Sequence, residues 1–167
     1  AHKLALLASL AFGTKVNFDD VYIEGIRHVS LQDIDYAEEF GYRIKLLGSA
    51  RMTENGLEQR VYPRMVDRNA PIAHVEGSYN AVVACGDFVD DTMYEGRGAG
   101  AGPTASAVVA DIMDIARGNA AATFGIPVDQ LSAAPASPIA GHRSAYYVRL
   151  MVDDQPGVIA DISAVFR

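Results

Sequence analysis

The stretch YRIKLLGSARM-TENG-LEQRVYPRMV, residues 42 to 66, decides the fold. Two runs that read as strands, 42 to 52 and 57 to 66, flank Thr53-Glu54-Asn55-Gly56. Asn-Gly between two such runs is a strong hairpin signal, because both residues tolerate positive φ. The stretch therefore predicts an antiparallel pair.

Moving upstream, Ser30 precedes LQDIDYAEEFG. Ser30 can cap a helix with Asp33 at its third position, Leu31, Ile34 and Ala37 on one apolar face, and Gly41 as the stop. Residues 16 to 26, VNFDDVYIEGI, alternate enough for one or two short strands. Before them, Leu4, Leu7 and Ala11 recur at helical spacing up to Gly13, which predicts a packed amphipathic helix. Leu4 to Phe12 behind Lys3 also has the look of a signal peptide's apolar core. The helical spacing and the absence of an initiator Met weigh against that. No capping residue precedes the pattern, so the chain is expected to begin inside a helix, as a piece of a longer protein.

Moving downstream, Pro71 with Ile72 and Val75 reads as a short connecting element, and residues 80 to 85, NAVVAC, as a buried strand. Residues 86 to 95 are acidic and turn-like. A helix is expected from Pro103, with Val108, Ile112 and Ile115 near one face and Gly118 as its stop. Residues 128 to 145 carry two prolines and no period, which marks a linker or a segment laid over the surface, and a boundary. Beyond it, Tyr146, Val148, Leu150 and Val152 share one face of a predicted strand, and a helix with Val158, Ile159, Ile162, Val165 and Phe166 comes after it. The pattern is α+β, with a largely antiparallel, mixed sheet covered by helices.

A chain of 167 residues, half of them hydrophobic, can bury one core and part of a second. A net charge of -7 and a pI near 4.9 argue against a nucleic-acid binder, whose affinity comes mainly from Lys and Arg displacing counterions. Cys85 is the single cysteine, so no intrachain disulfide can form. A reducing compartment fits, with Cys85 as a small core residue. No apolar stretch reaches the roughly 20 residues that span a bilayer.

The chemistry-bearing stretch is YEGRGAGAGPT, residues 94 to 104, with glycines at 96, 98, 100 and 102 and Pro103 at the expected first position of a helix. Such a turn brings bare backbone to a cofactor, or simply allows a tight crossing, and the residues alone leave both open. Gly96 to Ala101 satisfies the letters G-x-G-x-x-A. A dinucleotide fingerprint, however, directly follows a strand and has an acid some 20 residues on. Neither condition holds here.

Lys3 can donate a proton to a reacting carbonyl or be a solvated helix lysine. Asp87, Asp90, Asp91 and Glu95 can hold a cation or a substrate ammonium, or form a solvated turn. Histidines at 2, 28, 74 and 142 lack metal-ligand spacing, so no metal site is expected. No G-x-S-x-G elbow is present.

Together, KLALLASLAFG at residue 3, VYIEGI at 21, GYRIKLLG at 41, PIAHVEG-YNAVVACGD at 71 and GRGAGAGPTASAVVAD at 96 resemble homoserine dehydrogenase, in order, over residues 1 to about 127. The resemblance implies an oxidoreductase that interconverts L-aspartate 4-semialdehyde and L-homoserine with NADPH or NADH, in threonine, methionine and isoleucine biosynthesis. It implies a cytoplasmic homodimer or higher homo-oligomer with no nucleic-acid or membrane partner.

Residues 1 to 127 would correspond to the substrate and dimerisation region. The N-terminal Rossmann domain and the family's sodium or potassium site would lie outside this chain, which alone would be inactive. Lys3 matches the family's proton-donating lysine. Gly98, Ala99 and Gly100 match its nicotinamide-side turn, with Gly100 the closest. Residues 146 to 166 resemble the opening strand and helix of an ACT domain, with Asp153, Pro156 and Gly157 matching its motif and threonine implied as effector. The alternatives are an amino-acid-binding regulatory module, a dimerisation unit without chemistry of its own, and, for the tail, a strand and helix packed on the main domain.

Overall fold

The predicted hairpin is the centre of the fold. In the computed structural model, which describes residues 1–167 except Ala120, Ile139, Gly141, Asp154 and Arg167, β2 (Tyr42–Thr53) and β3 (Gly56–Asp67) pair antiparallel along their whole length, from Tyr42 opposite Asp67 to Thr53 opposite Gly56. Parts of the 128 to 145 segment and of the unit after it lie outside the described residues.

The turn differs in detail from the expectation. Its central residues are Glu54 and Asn55, and only Gly56 takes positive φ, at 119°. A Cβ at Gly56 would also lie 2.1 Å from the Pro135 carbonyl oxygen, so glycine answers both the backbone twist and the close approach of another segment.

The remaining strand of this sheet, β1 (Tyr22–Ile23), lies parallel to β3 and gives the order β1-β3-β2. It is shorter than the alternating run that suggested it. Asn17 hydrogen-bonds the Asp20 side chain, and a turn around these residues takes up the first part of that run.

Helix α1 (His2–Phe12) ends at Gly13, whose φ of 62° and N–H bond to the Ser9 carbonyl form a left-handed cap. It packs on the β2–β3 pair through an unexpected face. The buried residues are Ala5, Ala8 and Ser9, while Leu7 and Ala11 are exposed. The reason is the close approach of helix to sheet: Leu4 fits over Gly48 at 3.3 Å from the position of a Cβ there. Small residues allow that contact, and Leu6, Leu7 and Leu10 remain exposed.

Helix α2 (Leu31–Glu39) has the predicted Ser30–Asp33 capping box, and Gly41 lies just past its end at φ 82°. Its buried side is Asp33 and Ala37, four residues apart, whereas Leu31 is 80% exposed. The apolar stripe expected over Leu31 and Ile34 is therefore not the packed one. The Pro71–His74 3-10 turn leads the chain away from the sheet. Arg43 and Lys45 secure it by donating to the carbonyls of Ala73 and Val75.

The second sheet is the antiparallel hairpin β4 (Tyr79–Gly86) and β5 (Asp90–Arg97). Sequence reading assigned β5 to an acidic turn and β4 to a buried strand. Both assignments are corrected, since the turn is confined to residues 87 to 89 and β4 is exposed or half-buried throughout. Helix α3 (Ala101–Ala116) comes next, and no residue of it is buried. Gly118, at φ 73°, lies just beyond its end. The architecture is the expected α+β, with one mixed, largely antiparallel sheet under α1 and α2 and a separate hairpin.

The described residues of the 128 to 145 segment contain a short 3-10 turn, Val128–Gln130, and meet the main body at Ser132, Pro135 and Ser137. Ser132 exchanges backbone hydrogen bonds with Gly13 and Lys15, and Leu57 does so with Pro135 and Ser137. Leu131, within this strap, is buried. The predicted strand 146 to 152 has no strand partner among the described residues, because an extended segment becomes a strand only beside another. The helix after it is α4 (Val158–Val165), with Gly157 at its N-cap, φ 99°.

Candidate functional site

Lys3 stands in the first turn of α1, exposed, with no ion-pair or hydrogen-bond partner among the described residues. The helix that carries it is fixed from below by Ala5 and Ala8, so the lysine stem projects from a supported first turn.

The glycine turn joins β5 to α3, and the structure separates its glycines by role. Gly98 has a packing reason: a Cβ there would lie 2.2 Å from Asn80 Nδ2, and its N–H donates to the Ser78 carbonyl at 3.2 Å. Gly100 is the N-cap of α3 with φ 110°, a conformation that L side chains rarely adopt. Gly96 and Gly102 have no such explanation, since nothing lies within 4 Å of a Cβ at either. Helix α3 begins at Ala101 rather than at Pro103, which stands third in it, and Gly100 provides no side-chain cap for the helix's free N–H groups.

The acidic residues Asp90, Asp91 and Glu95 lie on β5, beside the Asp87 turn. Among the described residues no cluster of three or more His, Cys, Asp or Glu side chains is arranged to hold a metal ion. Cys85 is exposed, which corrects its assignment to the core. It pairs across the hairpin with Asp91, and the nearby carboxylate pushes the thiol's pKa up.

Two groups of charged residues escaped sequence reading. On β3, Glu58 and Arg60 are buried and paired at 3.3 Å, Arg51 approaches Glu58 across the strands at 3.7 Å, and His142 Nδ1 lies 3.4 Å from the second Glu58 oxygen. At the start of α2, the carboxylate of Asp33 is surrounded by donors. Its Oδ2 accepts from the Ser30 N–H at 2.8 Å and the Ser30 hydroxyl at 2.7 Å. Its Oδ1 accepts from Arg149 Nε at 2.6 Å and the Tyr147 hydroxyl at 3.1 Å.

The Arg149 bond, followed by those from Ser30, holds the Asp33 carboxyl well below the usual carboxylate range. Loss of solvent and the bond to Asp33 raise Tyr147, and the same carboxylate raises Arg149. Both groups border a groove of about 830 Å³ whose walls include Tyr22, Tyr42, Tyr62, Arg60, His142 and Arg149. Neither Lys3 nor the glycine turn borders it. The sequence did carry one trace of this arrangement: Tyr147 and Arg149 alternate with the apolar face of the predicted strand. Asp33, their partner, lies 114 and 116 positions away.

Asp153, Pro156 and Gly157 lie in and before the turn that opens α4, and the positive φ of Gly157 gives that position a backbone reason for glycine.

Comparison with known proteins gives consistent results. The family model described as homoserine dehydrogenase matches residues 1–113. A homoserine dehydrogenase of Pseudomonas aeruginosa is 46% identical over 99% of this chain, and one of Neisseria gonorrhoeae is 45% identical over 98%. A crystal structure of a homoserine dehydrogenase from Thiobacillus denitrificans superposes with a TM-score of 0.83 at 43% identity and covers 98% of the chain. The chain spans 39% of the length of each of these three relatives.

Proposed function

The chain belongs to the homoserine dehydrogenase family, and we propose that it forms the substrate side and the subunit-contact part of an enzyme interconverting L-aspartate 4-semialdehyde and L-homoserine. The observation that carries this reading is the conjunction of the family match with Lys3, exposed and without a partner among the described residues, on the supported first turn of α1. When NADPH or NADH is bound, the nicotinamide supplies the hydride. Lys3 donates the proton that the carbonyl oxygen takes as it becomes the hydroxyl.

The turn at Gly98, Ala99 and Gly100 suits a flat ring. Gly96 and Gly102 each have open space where a side chain would stand, and any larger residue at Gly100 would strain the backbone. In this reading Gly98 fixes the turn against Asn80, and Ala99 and Gly100 offer backbone to the nicotinamide. The nucleotide's phosphates and the family's sodium or potassium ion would be held by parts of the protein outside this chain.

The exposed apolar residues of α3 and of the β4–β5 hairpin, among them Ile112, Ile115 and Val82, support a homo-oligomeric contact at that region. We read residues 1 to 127 as the catalytic region, 128 to 145 as the connection and 146 to 167 as the opening of an ACT-type unit responsive to threonine, with Asp153, Pro156 and Gly157 at its turn. The setting is cytoplasmic amino-acid biosynthesis.

The test is direct. The complete protein, given L-aspartate 4-semialdehyde and each reduced nucleotide in turn, should consume nicotinamide absorbance and release homoserine. No turnover with either nucleotide would contradict the assignment.

A further inference from the structure

The segment from Leu131 to Arg149 does more than join two regions, because each of its ends holds the end of a helix. At one end, the Ser132 N–H donates to the Gly13 carbonyl at 3.0 Å and its carbonyl accepts from the Lys15 N–H at 2.8 Å. Gly13 is the C-cap of α1, so this contact sits where the helix closes. At the other end, Arg149 and Tyr147 bind Asp33, and Arg149 also reaches the Ser30 hydroxyl at 3.4 Å. Ser30 and Asp33 are the capping box of α2.

Between the two ends, Pro135 and Ser137 bond the backbone of Leu57 beside the β2–β3 turn, and His142 faces Glu58. The Gly56 Cβ position, 2.1 Å from the Pro135 carbonyl, shows how closely the strap is seated.

We propose that the described residues between 131 and 149 form a two-point clasp, gripping the C-cap of α1 through Ser132 and the capping box of α2 through Tyr147 and Arg149. Through it, movement of the chain beyond Arg149 reaches both helices. Each grip falls on a helix end, where backbone groups have no partner within the helix and the terminal turn opens most readily. Asp33 is the central part. Its Oδ2 closes the α2 cap and also accepts from Arg149 Nη2 at 3.4 Å, while its Oδ1 holds Arg149 Nε and the Tyr147 hydroxyl, so release of the tail takes donors from the carboxylate that orders the first turn of α2. Helix α1 carries Lys3 at its opposite end, so a grip at Gly13 acts on the element that presents the lysine. The clasp is independent of the chemistry proposed for Lys3.

The test is amide hydrogen exchange on the complete protein and its Arg149→Gln, Asp33→Asn and double variants, with trypsin cleavage after the exposed Arg143 followed by mass spectrometry. Arg149→Gln should raise exchange at residues 31 to 34 and at 13 to 15 about tenfold, on the scale of one lost charge-assisted hydrogen bond. Cleavage after Arg143 should accelerate by a similar factor. Exchange in β2 and β3 away from the turn should stay as it was.

The double variant should not exceed Asp33→Asn, which removes the Arg149 contact together with the charge that closes the α2 cap. Arg149→Lys, which keeps the charge but not the fork geometry, should fall between. Unchanged exchange at both helix ends, or a rise at residues 31 to 34 without one at 13 to 15, would overturn the clasp. A uniform rise that includes β2 and β3 would also overturn it, since that signals general loss of stability.

Discussion

Residues 1 to 67 and residues 79 to 116 have comparable apolar content but use it in opposite ways. In the first region α1 and α2 press small residues onto the β2–β3 sheet, and Ala5, Ala8 and Ala37 are essentially removed from solvent. In the second, β4, β5 and α3 are formed by local hydrogen bonds, yet no side chain is buried and Ile115 is 78% exposed. The first region is therefore specified by its own packing. The second is specified by backbone pairing and turn chemistry, and its apolar side chains are free to meet another surface. The proposed chemistry draws on both, with the proton donor on the packed region and the nicotinamide-side turn on the open one.

Substitutions should respond to this difference. The largest stability effect is expected at Gly56→Val, which sets a β-branched residue at positive φ and drives its Cβ into the Pro135 carbonyl; about 3 kcal/mol or more should be lost in thermal unfolding of the chain. Ala8→Leu, beneath α1, should cost about 1–3 kcal/mol by overpacking a face made of small residues. Ile112→Ser on α3 should change the stability of the chain by less than about 0.5 kcal/mol, since that side chain is exposed. A large loss there would mean that the second region has a core of its own and would end the contrast.

The smallest effect concerns Cys85. Asp91 raises the thiol's pKa and so reduces the thiolate present near pH 8; Asp91→Asn should lower the pKa and speed iodoacetamide alkylation about threefold. An unchanged or slower rate would remove that pairing from the account.

The same contrast explains what could be read from the sequence. The β2–β3 hairpin, the Ser30–Asp33 box and the Gly13 stop were legible because each is encoded within a few residues. The packed stripe of α1 was not, because periodicity marks Leu4, Leu7 and Ala11 as well as Ala5 and Ala8. What selects between them is Gly48 in a strand more than thirty residues away. Strand β5 was hidden by Asp90, Asp91 and Glu95, which an exposed hairpin tolerates and a buried strand would not.

The expected strand at 146 to 152 failed for a related reason, because its apolar alternation is real but nothing described lies beside it to pair with. Asp33 was recognised as a capping residue, and its second role was invisible because Tyr147 and Arg149 have no local relation to it. For the candidate site, the glycine turn stood out in the residues, while its cofactor role and the role of Lys3 came from resemblance. Their geometry, an exposed lysine on a supported helix and a turn held by Gly98 against Asn80 and by Gly100 at positive φ, came only from the structure.

The central claim is that Lys3, presented by the packed region, delivers the proton to the substrate oxygen. Lys3→Ala in the complete protein, assayed for reduction of L-aspartate 4-semialdehyde alongside equilibrium binding of the reduced nucleotide, tests it most directly. The account predicts a fall in turnover of at least about a hundredfold, the scale of a lost general acid, with nucleotide affinity unchanged. Turnover within about threefold of the parent would contradict it.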